Sequence, residues 1–406
     1  MAHAHTDVPP REGPLLAAHR ILLAVVAAAA VATVVAAAVL WPTGRDSGVA
    51  RYLGAPADLV PARVEHVELK PCFGTGAADG VRCREATVVP SEGPDEGTAV
   101  VLQVAEGPGS PPVEESDRVV LGFTPDAPPG SQYYLADFQR RAPMLVLAVL
   151  FASAVILLGR MRGFRALVGL GFTMVLLVTF LVPAVLEGES PVAVAVVAAS
   201  AILLVNLYLA HGPTLATTTA VVGTLASLAL IGVLAVAFVG ATHLTGMGSE
   251  EASFLQAASS RVNLEGLLLG GVIIGSLGVL DDVTVTQASA VWELHAANPA
   301  LGPAGLYRSA LRIGRDHVAS TVNTLVLAYA GASLPLLILL VEADRRVSDV
   351  LTGEVVAAEI VRTLVGSVGL VASVPITTAL AAVVAGGGRW HGDPAGAAGP
   401  DPVVPA

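Results

Sequence analysis

GSLGVLDDVTVTQASAVWELH, residues 275–295, joins two kinds of sequence that seldom meet. Its left end closes an apolar, glycine-rich run that begins near Val262. That run approaches the roughly 20 residues needed to cross a bilayer. Its right end opens on two adjacent carboxylates, Asp281 and Asp282, and continues through hydroxyl and amide side chains to Trp292, Glu293 and His295. Carboxylates beside a membrane-length run are expensive and call for a reason. If the helix stops at Leu280, they are hydrated boundary residues, although Asp at a helix C-terminus opposes the macrodipole. If it continues, Asp282, Thr286, Ser289 and Glu293 fall at i, i+4, i+7 and i+11 on one face. Such a carboxylate–hydroxyl stripe, with Asp281 and Gln287 beside it, suits the lining of a cation or proton path.

Working outward, the rest of the chain is read as a polytopic membrane protein. Of its 406 residues, 54% are hydrophobic and 14% charged, against about 25% charged in a soluble domain. Apolar runs recur near Ile21–Trp41, Pro143–Leu158, Ala166–Leu186, Val192–Ala210, Leu215–Val239, Val262–Leu280, Val318–Val341 and Thr363–Ala385. The expected fold is an all-α membrane bundle of about eight transmembrane helices. Arg160, Arg162 and Arg165 in GRMRGFR place that link in the cytoplasm, as Arg11 and Arg20 do the start of the first run. Alternation then puts both termini and the segment from Asp281 to His317 inside. Residues 1–20 and 386–406 read as cytoplasmic tails, the second disordered, and MAHAHTD as frayed.

Residues 42–142 differ in kind. They are rich in Pro, Gly and charge, with alternating patches RVEHVEL, REATVVP, TAVVLQV and DRVVLGF between turn clusters. These predict a small extracytoplasmic β-domain, OB-like or a sandwich, between the first two transmembrane helices. Cys72 and Cys83, the chain's two cysteines, are too few for a zinc or iron–sulfur site. Outside the cytoplasm a disulfide is the first expectation.

A second polar stretch opens at Asp316 and His317. Asp316 is expected as an N-cap or first-turn residue. His317, Ser320, Thr321 and Thr324 then lie on one face, with Asn323 beside them. Asp281, Asp282, Glu293, His295, Asp316 and His317 share the expected cytoplasmic side. Oxygen and imidazole ligands would suit a divalent cation, yet the spacing matches no defined metal motif. An ion-pair network with Arg308, Arg312 and Arg315 is the structural alternative. No Walker A loop, GxGxxG, GxSxG, kinase or CxxC pattern is present, so no catalytic constellation or cofactor is expected. A net charge of −11 argues against nucleic acid as partner.

GVLDDVTVTQASAVWELHAANP, with YRSALRIGRDHVASTVNTLVLAYAGASLPLL, TGMGSEEASFLQ and YYLADFQRR, resembles the YibE/F family of bacterial multi-pass membrane proteins. The resemblance spans residues 63–385. It implies a seven-helix membrane domain at 143–385 after the anchor at 21–41, in a bacterial plasma membrane, and carries no activity with it. The residues point to a permease or channel for an ion or small solute, with Asp282 binding or coupling the cation and Asp281, Thr286, Gln287, Glu293, His317, Asn323 and Thr324 around it. The alternative is a membrane scaffold or signalling component whose outer domain binds a partner. A homo-oligomer or a membrane partner is open under either reading.

Overall fold

The computed structural model describes residues 14–44, 58–71, 82–107, 109–110, 112–128, 131–335, 337–338 and 346–386. The expectations for MAHAHTD, Cys72 and the disordered tail lie outside the described residues, as Gly386 alone of that tail does not. The chain divides into two compact units, residues 49–158 and residues 1–48 with 159–406.

The first unit holds a curled antiparallel sheet. Strands β1 (Asp58–Pro71), β2 (Arg82–Pro90), β3 (Val100–Ala105), β4 (Arg118–Phe123) and β5 (Tyr133–Phe138) lie in the order β3-β2-β1-β4-β5. Alternation sends Val60, Ala62 and Val64 of β1, Ala86 and Val88 of β2, and Val119 and Leu121 of β4 into one core. β1 is long enough to pair with both β2 and β4, and the sheet curls until its edge strands β3 and β5 approach each other. Where the Tyr134 ring lies against Gly122 there is no room for a side chain. The four alternating patches are β1 to β4. β5 was concealed in YYLADFQRR because six residues running straight into a helix carry little periodicity. Cys83 is disulfide-bonded.

The second unit is helical. Its elements are α1 (Pro14–Val39), α2 (Arg141–Leu186), α3 (Pro191–His211), α4 (Leu215–Ala241), α5 (Glu250–Ala258), α6 (Leu264–Ala297), α7 (Pro303–Ala332), α8 (Val347–Thr352) and α9 (Glu354–Gly386), with α2 entering it from the first unit. Among the described residues, α1, α2, α3, α4, α6 and α9 are the six helices long and apolar enough to cross a membrane. α2 holds 46 residues, which at 1.5 Å each is roughly twice a bilayer's hydrocarbon core. It leaves helical geometry at Arg160, φ 50° and ψ −129°, inside the GRMRGFR link. Four helices start where a short polar side chain caps them: Ser190, Thr214, Ser249 and Asn263 each accept from the backbone N–H three residues on.

α4, α6 and α9 pack against one another in every pairing, α3 lies along α6, α1 along α3 and α4, and α7 along α9 and α6. Leu203, Val221, Ile231, Val272, Ile273 and Leu280 fill the centre. Small residues set the spacing: a Cβ at Gly270 would lie 3.2 Å from Ala195 Cβ, so α3 and α6 touch there almost backbone to backbone. At one end of the bundle Glu187 accepts from the Thr43 and Gly44 amides, and Glu354 from the Thr245 and Met247 amides. The Arg160 break, the His211–Thr214 turn and the second half of α6 gather at the other end.

Of the two readings for the end of α6 the structure shows the continuing one, and the start of α7 differs from expectation. α6 does not stop at Leu280 but runs to Ala297, and α7 begins at Pro303 rather than Val318. Residues 281–317, expected as a long connecting segment, are a helical hairpin turning at residues 298–302. Val283, Thr284, Gln287, Ala288 and Val291 continue the buried face of α6, so packing carries the helix past the aspartates. Asp316 is consequently exposed in mid-helix, and Gly302 with Pro303 starts α7.

Candidate functional site

Two adjoining clefts open at the end of the bundle where α3 turns into α4. The first, about 360 Å³, is lined by Gly169, Asn206, His211, Gly278, Asp281, Asp282 and Thr286 among others. The second, about 430 Å³, is lined by Arg162, His211, Thr214, Thr217, Ser289, Trp292 and Glu293. His211 and Val285 belong to both. The clefts are therefore continuous along the α6 face that carries Asp282, Thr286, Ser289 and Glu293.

The two aspartates are not equivalent. Asp282 is 72% exposed at its side chain, and its Oδ2 lies 3.8 Å from His317 Nε2. That is too long for a hydrogen bond but close enough for an ion pair when the imidazole is protonated. Asp281 is turned inward, and its Oδ1 is buried with no hydrogen-bond partner among the described residues. A buried acceptor left unpaired is costly, and in a cleft wall it is the group with most to gain from a ligand.

Gln287 faces elsewhere. It is fully buried between helices, and its Oε1 accepts from Thr378 Oγ1 at 2.9 Å. It belongs to a seam of interior polar contacts joining α4, α6 and α9, with Thr224 and Thr284 hydroxyls 2.6 Å apart. Hydrogen bonds between membrane helices are the ordinary role of such groups. Asn323 and Thr324 are exposed on α7 beyond both clefts, and the Thr324 hydroxyl donates to Ser320 O at 3.0 Å within its own helix. His295 keeps a buried Nδ1 without a partner among the described residues and lines neither cleft. Arg308, Arg312 and Arg315 are exposed, and among the described residues none pairs with a carboxylate. The described residues also hold no group of three or more His, Cys, Asp or Glu arranged to take a metal ion.

Sequence reasoning passes over three lining residues and underweights a fourth. Arg162 is legible only as a topology signal, His211 as a turn residue, and Gly278 as packing. Asn206 reads as a helix–helix hydrogen-bond partner, and half of it is: Nδ2 donates to Thr173 Oγ1 at 3.0 Å. Its Oδ1 is buried and without a partner among the described residues. A third cleft, about 500 Å³, lies at the opposite end of the bundle, lined by His243, Thr245, Gln256, Asn263 and Glu265 among others.

No curated protein and no solved structure matches this chain. The family model for YibE/F-like proteins matches residues 147–387. The match takes in every membrane-length helix after the first half of α2 begins, together with both clefts, and leaves the β-unit outside. A match over more than half of the chain places it: this is a membrane-helix protein that belongs to the YibE/F-like family.

Proposed function

We propose that the chain is a permease or channel for an ion or small solute in a bacterial plasma membrane. One observation carries the reading: Asp281, a residue lining an open cleft on a membrane-length helix, holds a buried carboxylate oxygen without a hydrogen-bond partner among the described residues. A structural carboxylate in such a place would be expected to hold a partner. Arg162 beside the cleft supports a cytoplasmic opening by the positive-inside rule. On that orientation both termini are cytoplasmic and the β-unit lies outside. Its sheet order, with β3 and β5 closing on each other, supports an OB-like cap. Asp281, rather than Asp282, is the coupling carboxylate, and the Asp282–His317 pair sits beside it at the mouth.

The test is ion and proton flux through purified protein in liposomes. Wild type should conduct, and Asp281→Asn should reduce flux by about tenfold or more, the loss of one charged partner of roughly 1.5–3 kcal/mol. No flux for any ion or small solute offered, or equal flux in the variant, rejects the reading. A scaffold or signalling role is the second reading. It is favoured by the β-unit having its own core and lying outside the family match. One defined partner retrieved by that unit, from a protein that moves no solute, would establish it.

A further inference from the structure

We infer that Asp281 Oδ1 and Asn206 Oδ1 together form a binding site for a small monovalent cation, an alkali-metal ion or ammonium. The inference rests on the transport reading for its purpose and on donor–acceptor chemistry for its substance. The orientation of the Asn206 amide is settled by its neighbours. Thr173 Oγ1 spends its single proton on Gly169 O, at 3.0 Å. It can then only accept from Asn206, so the amide end against it at 3.0 Å is the NH₂ group. The carbonyl oxygen is the end left over, buried and unpartnered among the described residues. Asp281, which lines the same cleft as Asn206, has a second such buried oxygen.

Helix geometry brings the two together. α3 and α6 run parallel and touch at Ala195 and Gly270. Asn206 and Asp281 each stand eleven residues further along their own helix. Eleven residues are about three turns, or roughly 16 Å, and return to nearly the same face. The two residues therefore stand at the same level on neighbouring helices, and both line the one cleft. Asn206 Oδ1 is packed against Gly169, where a Cβ would lie 2.9 Å from it, so only glycine leaves it room. Gly278, one turn before Asp281, leaves open space, with nothing within 4 Å of where its Cβ would be.

The chemistry of the lining selects the ligand. Two acceptor oxygens, one of them a carboxylate, repel anions and gain nothing from an apolar solute. A transition metal would want nitrogen, sulfur or several carboxylates, and the described residues offer no group of three such ligands. Carbonyl and carboxylate oxygens that replace hydration are what an alkali ion or ammonium takes.

The experiment is equilibrium binding to the full-length protein in nanodiscs. Sodium, potassium and ammonium chlorides are titrated at constant ionic strength against N-methyl-D-glucamine chloride, with thermal unfolding and calorimetry as readouts. One of the small cations should stabilise saturably and the bulky one should not. Asp281→Asn and Asn206→Leu should each weaken the effect by about tenfold, the worth of one ion-assisted contact. Gly278→Leu, which fills the cleft without touching either oxygen donor, should abolish it. Asn206→Asp, which keeps the oxygen and adds charge, should retain it, the Thr173 hydroxyl turning its proton from Gly169 O to the new carboxylate. No saturable effect in wild type, an undiminished effect in both Asp281→Asn and Gly278→Leu, or a larger effect from magnesium or manganese overturns the site. Cation binding without flux would leave the site standing and sink the transport reading. Proton flux that needs Asp281 but shows no cation stabilisation would do the reverse.

Discussion

Alanine at Gly314, set beside alanine at Gly278, measures how closely α7 is held to the core. Both positions are helical glycines, so each substitution gains about 1 kcal/mol of helix propensity. They differ in what the new methyl meets. At Gly278 nothing lies within 4 Å, whereas at Gly314 the methyl would sit 2.6 Å from Val374 Cγ1 and 2.8 Å from both amide heteroatoms of Gln287. Carbon atoms prefer about 3.5–4.0 Å, so something must yield by roughly an ångström. Gln287 cannot swing aside freely, because it is fully buried and bonded to Thr378 at 2.9 Å. Overpacking of this kind costs about 1–3 kcal/mol. Gly278→Ala should be neutral or stabilising by up to about 1 kcal/mol, and Gly314→Ala should be less stable than it by about 1–3 kcal/mol. Subtracting one variant from the other cancels the propensity gain and leaves the clash. Unfolding of the purified protein in mixed micelles, followed by tryptophan fluorescence, reads the difference. Adding Val374→Ala removes the nearest methyl and should recover part of the loss, with a coupling energy of about 0.5–3 kcal/mol. His317 lies one turn beyond Gly314, so displacing α7 should also loosen its 3.8 Å approach to Asp282. Equal stability of the two single variants would refute the close packing of α7 on Gln287.

Thr284→Val should cost about 0.6–1.7 kcal/mol in the same assay by removing the buried contact with Thr224; an unchanged midpoint would show that the 2.6 Å approach contributes nothing net. Cys83→Ser, or reduction of wild type, should destabilise the β-unit by about 2–4 kcal/mol, read as a lower melting temperature that reductant no longer shifts in the variant. His66 is hydrogen-bonded to Glu68 and then to Glu115, which together raise its pKa above the ordinary value near 6.5. Because the folded-state pKa is the higher one, its stabilising contribution is complete below about 6.5 and is lost as pH rises through the folded value. An NMR titration placing the His66 midpoint at or below 6.5 would contradict the geometry.

Much of the fold is written in the chain's periodicities, and the places where it is not have definite causes. The apolar runs mark membrane helices because nothing else in a 406-residue sequence needs so many uninterrupted apolar residues. Alternation in RVEHVEL and DRVVLGF, though interrupted at the bulge between Val64 and His66 and by the apolar run 119–121, marks strands for an equally local reason, one buried face. Helix ends are another matter. DDVTVTQ has the look of an exit from lipid, yet Val283, Thr284 and Gln287 are buried by α4 and α9, helices distant in sequence. Tertiary burial of a polar seam decides where α6 ends, and no local propensity records it. The same holds for α7, whose first four turns are fixed by burial of Leu306, Ala310 and Gly314.

The site turns on phase, which is subtler still. Helical periodicity groups Asp282 with Thr286, Ser289 and Glu293, but it does not say which side of that stripe meets α3. Adjacent residues differ by about 100° around a helix, so Asp281 and Asp282, which both line the cleft, cannot both be turned toward α3. The glycines settle which one does. Gly266 and Gly270 are pressed against Pro191 and Ala195, and three turns on from Gly270 the helix presents Asp281. Three turns on from Ala195, α3 presents Asn206. Small residues that a composition reading counts as packing are thus also phase markers, because close contact is possible only where they face the neighbour. Gln287, six residues past Asp281, is carried about 240° around into the interior seam, although in sequence it is as polar and as near. Side-chain chemistry nominates candidates on α6; the close contact at Gly270, three turns away, selects among them.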